Sequence, residues 1–192
     1  QDYTSKWYPI RYSGTGFLYH ARIATDMLEG VRMSDRMSHK ILDVGCGPGI
    51  TATYFIKSNL NVLGIDFSEG MIEIAKREVP EGKFLVMDLH EIDKIHESFD
   101  GICLQNVLLH LPKNRVENTL KNIVQLLKKG GYVYIAVKEK TSDCPDEYTK
   151  VDDDYGYRIE RFFSCFTKAE VKKYMDDLHF EIVFFDVVEA GK

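Results

Sequence analysis

Short apolar runs recur along the chain, and several close on an acid. Ile41, Leu42 and Val44 surround Asp43; Val62, Leu63 and Ile65 precede Asp66; Phe84, Leu85, Val86 and Met87 precede Asp88. Two more runs, 99–104 and 132–137, follow the same style. Continuous apolar stretches of this length read as strands buried on both faces. Helical spacing fills the gaps. Ser68 stands as a cap before Met71, Ile72, Ile74 and Ala75; Val116, Leu120, Ile123, Val124 and Leu127 share one helix face, and Gly130 and Gly131 are read as its stop. Lys128 and Lys129 then sit where cations complement a helix end. Thr167 to Glu170 has the form of a capping box, opening a helix through Tyr174 and Met175 to Leu178. A last apolar run over 180–185 predicts a sixth strand. The alternation predicts an α/β, Rossmann-like doubly wound sheet with strand order 3-2-1-4-5-6. Before it, Phe17, Ile23, Ala24, Met27, Leu28 and Val31 give residues 1–36 one apolar face, that of a helical lid. After the fifth strand, residues 139–166 form a long polar insertion without evident structure. The 192 residues thus read as one domain: lid 1–36, core 37–138, insertion 139–166, and final helix and strand 167–192.

The chemistry sits where the strands end. Asp43 leads into Gly45-Cys46-Gly47-Pro48-Gly49, three glycines at alternate positions in a strand-to-helix turn. Glycine permits positive φ and a close approach of backbone to ligand. The dinucleotide fingerprint has G-x-G-x-x-G spacing, and this turn departs from it. Pro48 offers no N–H to a phosphate, and Asp43 suits a cation better than an anion. Asp43, Asp66 and Asp88 lie 23 and 22 residues apart, about one strand, helix and two turns each, so all three fall on the carboxyl rim of the sheet. Any one of them also reads as a cap for the helix that follows.

Together these residues resemble motif I and the second- and third-strand acids of the class I S-adenosylmethionine-dependent methyltransferases, in particular the small-molecule subgroup. The resemblance implies S-adenosylmethionine as cofactor and S-adenosylhomocysteine as product. It implies that Asp43 lies near the methionine amino group, while Gly45, Cys46 and Gly47 pass beneath that moiety. Asp66 would accept the ribose hydroxyls, Phe67 would lie against the adenine, and Ser68 and Met71 would border it. Asp88 and the Leu89 N–H would meet the adenine edge, and Gln105 and Asn106 would border the reacting methyl. The resemblance also implies a seventh, antiparallel strand between the fifth and sixth (order 3-2-1-4-5-7-6), for which the sequence offers no strong run, so this strand is read as missing or truncated.

The segment Gln105-Asn106-Val107-Leu108-Leu109-His110-Leu111-Pro112 separates subclasses. It lacks the Asn/Asp-Pro-Pro-Tyr-like motif of amide methyltransferases, the paired glutamates of arginine methyltransferases and a nucleophilic cysteine. What remains resembles enzymes acting on small acceptors. His110 is the candidate general base, against a plain structural hydrogen bond. Tyr8 and Tyr12 in the lid, with Arg161 and Phe162 in the insertion, are the candidate acceptor walls, Arg161 facing an anionic acceptor or bridging to Asp152, Asp153 and Asp154. Methyl transfer is the first reading. An S-adenosylmethionine-binding protein without catalysis and an NAD-dependent oxidoreductase are the alternatives.

Composition narrows the partners. A net charge of −5 without a basic run argues against nucleic acid, and no apolar stretch reaches the ~20 residues a membrane helix requires. Cys46, Cys103, Cys144 and Cys165 are scattered, without a metal-ligand spacing, so no metal is expected and the chain reads as cytoplasmic. The expected assembly is a monomer or homodimer.

Overall fold

The central prediction concerns which strands lie side by side. The computed structural model describes residues 39–152, 158–185 and 187. Five parallel strands, β1 (Lys40–Val44), β2 (Asn61–Asp66), β3 (Lys83–Val86), β4 (Phe99–Gln105) and β5 (Leu127–Ala136), lie in the order β3-β2-β1-β4-β5. This bears out the doubly wound order over its first five strands. Helices α1 (Ile50–Lys57), α2 (Glu69–Glu78), α3 (Lys113–Val124) and α4 (Lys168–Asp177) complete the alternation. β1 is the central strand, and its side chains alternate between two cores. Ile41 packs with Phe55, Ile72, Ala75 and Phe84, whereas Leu42 and Val44 pack with Phe99, Val116, Leu120 and Ile123. Burial on both faces is why β1 reads as a nearly unbroken apolar run. The caps behave as their residue types require: Ser68 Oγ accepts from the Met71 amide, and Thr167 with Glu170 forms the reciprocal capping box. Among the described residues, no helix is long and apolar enough to cross a membrane.

Three expectations change. First, α3 ends at Val124, and Leu127 already belongs to β5, paired with Phe99. The register then shifts, so that Gly101 pairs with Tyr132, and Gly130 takes φ 78° within the strand. The glycine pair therefore shapes a bulge, with a left-handed residue that a side chain would oppose. Lys128 is a strand residue whose ammonium reaches both Asp100 oxygens at 2.9 and 2.8 Å.

Second, residues 180–185 form no strand. A cavity of about 750 Å³, lined by Val133, Ile135, Met175, Ile182 and Phe184 among others, lies beside β5 and α4. The apolar pattern is that of a strand, but no strand among the described residues pairs with the segment, and a ladder needs one. Third, the insertion is structured. β6 (Lys138–Glu139), β7 (Glu147–Asp152) and β8 (Ile159–Phe166) make a small sheet in the order β6-β8-β7, with β7 and β8 antiparallel. A Cys144–Cys165 disulfide ties the β6–β7 loop to β8. Lys113, at the start of α3, bonds Glu170 at 2.6 Å and Asp146 at 3.2 Å, joining the main domain, the loop and α4.

Candidate functional site

The turn after β1 is built from left-handed glycines: Gly45, Gly47 and Gly49 have φ of 65°, 52° and 84°. A Cβ on Gly45 would lie 2.5 Å from Val107, whereas one on Gly47 would meet nothing within 4 Å among the described residues. The backbone at Gly47 thus borders open space. Its amides, however, are already used. Cys46 N donates to Ile65 O at 3.0 Å, Gly49 N to Cys46 O at 3.0 Å, and Gly47 N to Asp66 Oδ2 at 2.9 Å. Pro48 has no N–H at all. A pyrophosphate would find no cradle of N–H donors at 46–49, which weighs against the nicotinamide alternative.

Asp43 is 2% exposed, so its carboxylate is effectively inside the protein. In the sheet it pairs with Cys103 on one side and Gly64 on the other. Burial pushes its carboxyl up to about 7; the Cys103 thiol, donating to it, opposes that rise, and the nearby Asp66 adds to it. One oxygen, Oδ2, has no hydrogen-bond partner among the described residues. Burial also raises the Cys46 and Cys103 thiols, which stay protonated beside this acid. At the end of β2, Asp66 accepts the Ser68 amide at 2.9 Å as well as that of Gly47. Burial raises its pKa too, and the two amides hold it down.

The remaining predicted residues fall around this pair. Phe67 follows Asp66 and is 79% exposed, a bare ring on the rim, while Met71 is buried in α2. Asp88 accepts the His90 amide at 2.8 Å and caps the short turn that Leu89 opens. At the end of β4, Gln105 is buried, with Oε1 accepting from Thr51 at 3.0 Å and Nε2 without a partner among the described residues. Asn106 turns the chain with φ 57°, and its amide donates to Ala136 O. His110 Nδ1 lies 2.9 Å from Phe162 O, and its ring is 4.9 Å from that of Phe163. Arg161 lies with its guanidinium 5.5 Å from the Phe163 ring centre. The structure therefore brings Asp43, residues 45–47, Asp66, Ser68 and Gln105 to one rim, with His110, Arg161 and Phe162 on the neighbouring β4–β8 side. Tyr8, Tyr12, Asp153 and Asp154 lie outside the described residues. No group of acids, histidines or cysteines fit to hold a metal occurs among the described residues.

Four residues of this region escape the sequence reading. Cys103 is detectable in principle, because parallel register puts it beside Asp43. Thr51 carries no local signal. Lys138 and Tyr148 emerge only once β6 and β7 are placed: Lys138 Nζ donates to Tyr148 Oη at 2.6 Å.

Comparison with known proteins agrees with the fold. Residues 41–131 match the model of a family described as a methyltransferase domain. The ubiquinone biosynthesis O-methyltransferase of Pelagibacter ubique is 32% identical over 116 residues, covering 58% of this chain and 48% of that protein. The chain spans about half the length of the curated relatives it matches. Among solved structures, a S-adenosylmethionine-dependent methyltransferase from Methanosarcina mazei superposes with a TM-score of 0.67 at 21% identity, over 80% of this chain and 84% of that one. The Burkholderia thailandensis 1,6-didemethyltoxoflavin-N1-methyltransferase, with bound S-adenosylhomocysteine, gives 0.62 at 20% identity, over 88% and 69%. At such identities the likeness is one of fold. With the match over residues 41–131, it shows a fold like that of S-adenosylmethionine-dependent methyltransferases.

Proposed function

We propose that this chain is a class I methyltransferase that binds S-adenosylmethionine across the turn at 45–49 and catalyses methyl transfer to a small-molecule acceptor. The observation that carries the reading is the donor and acceptor balance of the turn: the amides of Cys46, Gly47 and Gly49 are consumed, and Asp43, at the end of β1, has an orphaned carboxylate oxygen among the described residues. Such a site lacks what a phosphate needs and has what an ammonium needs. The residues fit the group. Asp43 would receive the amino group of the methionine moiety, directly or through water. Asp66 would accept the ribose hydroxyls on lone pairs left by its two amide bonds, and Gly47 leaves room for the backbone to pass close. Phe67 would cover the adenine, with Ser68, Met71, Asp88 and Leu89 around it. When bound, S-adenosylmethionine supplies an electrophilic methyl on a sulfonium whose leaving group departs neutral.

The protein's own task is then alignment and exclusion of water, and holding the reactants in line can contribute up to ~7–11 kcal/mol. Gln105 and Asn106, at the end of β4, would border the methyl. Thr51 holds the Gln105 carbonyl oxygen and so turns its amide nitrogen away from α1. His110 keeps its first role in positioning: Nδ1 donates to Phe162 O and anchors the hairpin. If an oxygen or carbon acceptor is used, Nε2 is the nitrogen of the neutral ring that takes the proton. Tyr8, Tyr12, Arg161 and Phe162 would wall the acceptor, with residues 1–36 as lid. A small acceptor rather than nucleic acid, a monomer or homodimer, and a cytoplasmic setting belong to the same reading. In that setting the Cys144–Cys165 bridge would stand open as two thiols. The test is transfer of label from methyl-tritiated S-adenosylmethionine to a panel of small hydroxylated, amino and thiol acceptors. Labelled product with wild type, lost in Asp66→Ala, is expected. Tight cofactor binding with no labelled product across the panel would favour the noncatalytic alternative.

A further inference from the structure

The hairpin that follows β5 carries a set of donors that the cofactor does not use. Lys138 lies two residues beyond Ala136, the last residue of β5, and Ala136 pairs with Gln105 at the end of β4. It therefore sits just past the carboxyl ends of β4 and β5, beside the crevice and on the far side of β4 from Asp66. Its ammonium donates to Tyr148 Oη at 2.6 Å and stands 5.1 Å from the Tyr148 ring centre and 5.8 Å from that of Phe163. Tyr148 and Phe163 are paired across β7 and β8 and stacked, with centres 5.3 Å apart. Arg161 is two residues from Phe163 on the same strand face and reaches the same ring. Directly across from Arg161 is Lys150.

The donor count is informative. Lys138 has three N–H bonds and gives one to Tyr148; among the described residues no carboxylate lies within ion-pair reach of it. Because the phenol oxygen accepts from lysine, its own hydrogen remains to be donated, and it meets no acceptor among the described residues. An ammonium and a phenol, the phenol ring stacked on Phe163, thus present N–H and O–H donors side by side. Adjacent donors of this kind suit an anionic oxygen. His110, 4.9 Å from the Phe163 ring, links this face to the segment leaving β4, where the methyl would be delivered.

We propose that Lys138, Tyr148, Phe163 and Arg161 form an anion subsite, and that the acceptor is a small molecule carrying a carboxylate or phosphate. This rests on the methyl-transfer reading above, but it is tested separately. Amide signals of Lys138, Tyr148 and Phe163 are followed by NMR, with and without S-adenosylhomocysteine, while benzoate, phenyl phosphate or the neutral benzamide is added. Benzoate or phenyl phosphate is expected to shift these signals at concentrations at least tenfold below benzamide, and the better of the two identifies the anion. Lys138→Met should weaken the preferred anion by about tenfold, the loss of one charge-assisted hydrogen bond, while Lys138→Arg retains most of the preference. Equal response to benzamide, or no response to either anion, overturns the subsite. Anion preference without any S-adenosylhomocysteine binding would instead sink the methyl-transfer reading and leave the subsite standing.

Discussion

Replacing Asp43 with Asn should change how stability depends on pH, and the structure sets both sign and size. The carboxyl is pushed from 3.8 to about 7, chiefly because burial disfavours its charge. Its folded pKa is therefore above its unfolded one, and between the two the folded chain holds the extra proton. Stability from this group is greatest below about pH 4, falls as pH rises, and is flat again above about 7. Each pH unit inside that window costs about 1.4 kcal/mol, so from pH 5 to 7 the wild type should lose about 2–3 kcal/mol relative to Asp43→Asn, which does not titrate. Urea denaturation of both proteins at pH 5, 6, 7 and 8 measures the difference while other titrating groups cancel. A cation beside Asp43 would lower its pKa, so S-adenosylmethionine affinity should rise over the same window and level off above 7. A wild-type minus variant difference that stays constant from pH 5 to 8 would refute the buried, protonated state.

Other perturbations follow from specific contacts. Asp66→Ala should weaken S-adenosylmethionine binding by about 1.5–3 kcal/mol, read by calorimetry; unchanged affinity would remove Asp66 from the ribose. Gly64→Ala places a Cβ 2.6 Å from the buried Phe84 ring and 2.9 Å from Cys46 Sγ, so urea denaturation should show a loss of about 1–3 kcal/mol. An undiminished unfolding midpoint there would mean that the β2–α2 side repacks freely. Lys113→Met leaves Glu170 and Asp146 without their shared cation, and should cost about 1–2 kcal/mol and speed proteolysis within 140–147. Cleavage at the wild-type rate would show that the ion pairs do not hold the loop.

Much of the main sheet was legible because its causes are local. β1, β2 and β4 are buried on both faces and announce themselves as apolar runs, and Asp43, Asp66 and the glycines of 45–49 lie at their ends. The acids fit both readings of their position: Asp66 and Asp88 accept amides at the start of the next element, and they also stand at the carboxyl ends of β2 and β3. What failed depends on distant partners. Leu127 fits the helix period of α3, yet Phe99 across the sheet claims it for β5. The run 180–185 has strand composition and, among the described residues, no strand to pair with. β7 mixes Tyr148, Lys150 and Val151 because the hairpin is exposed, so neither periodicity nor apolar content marks it. The His110–Phe162 bond, the Thr51–Gln105 bond and the Cys144–Cys165 bridge join residues that only the fold brings together.

The measurement that bears most directly on the proposed cofactor is calorimetric titration of the protein with S-adenosylhomocysteine and, separately, NADH. The consumed amides of 46–49 and the orphaned Asp43 oxygen predict one S-adenosylhomocysteine bound per chain, weakened in Asp66→Ala, and no heat from NADH. NADH binding in the absence of S-adenosylhomocysteine binding would contradict the account.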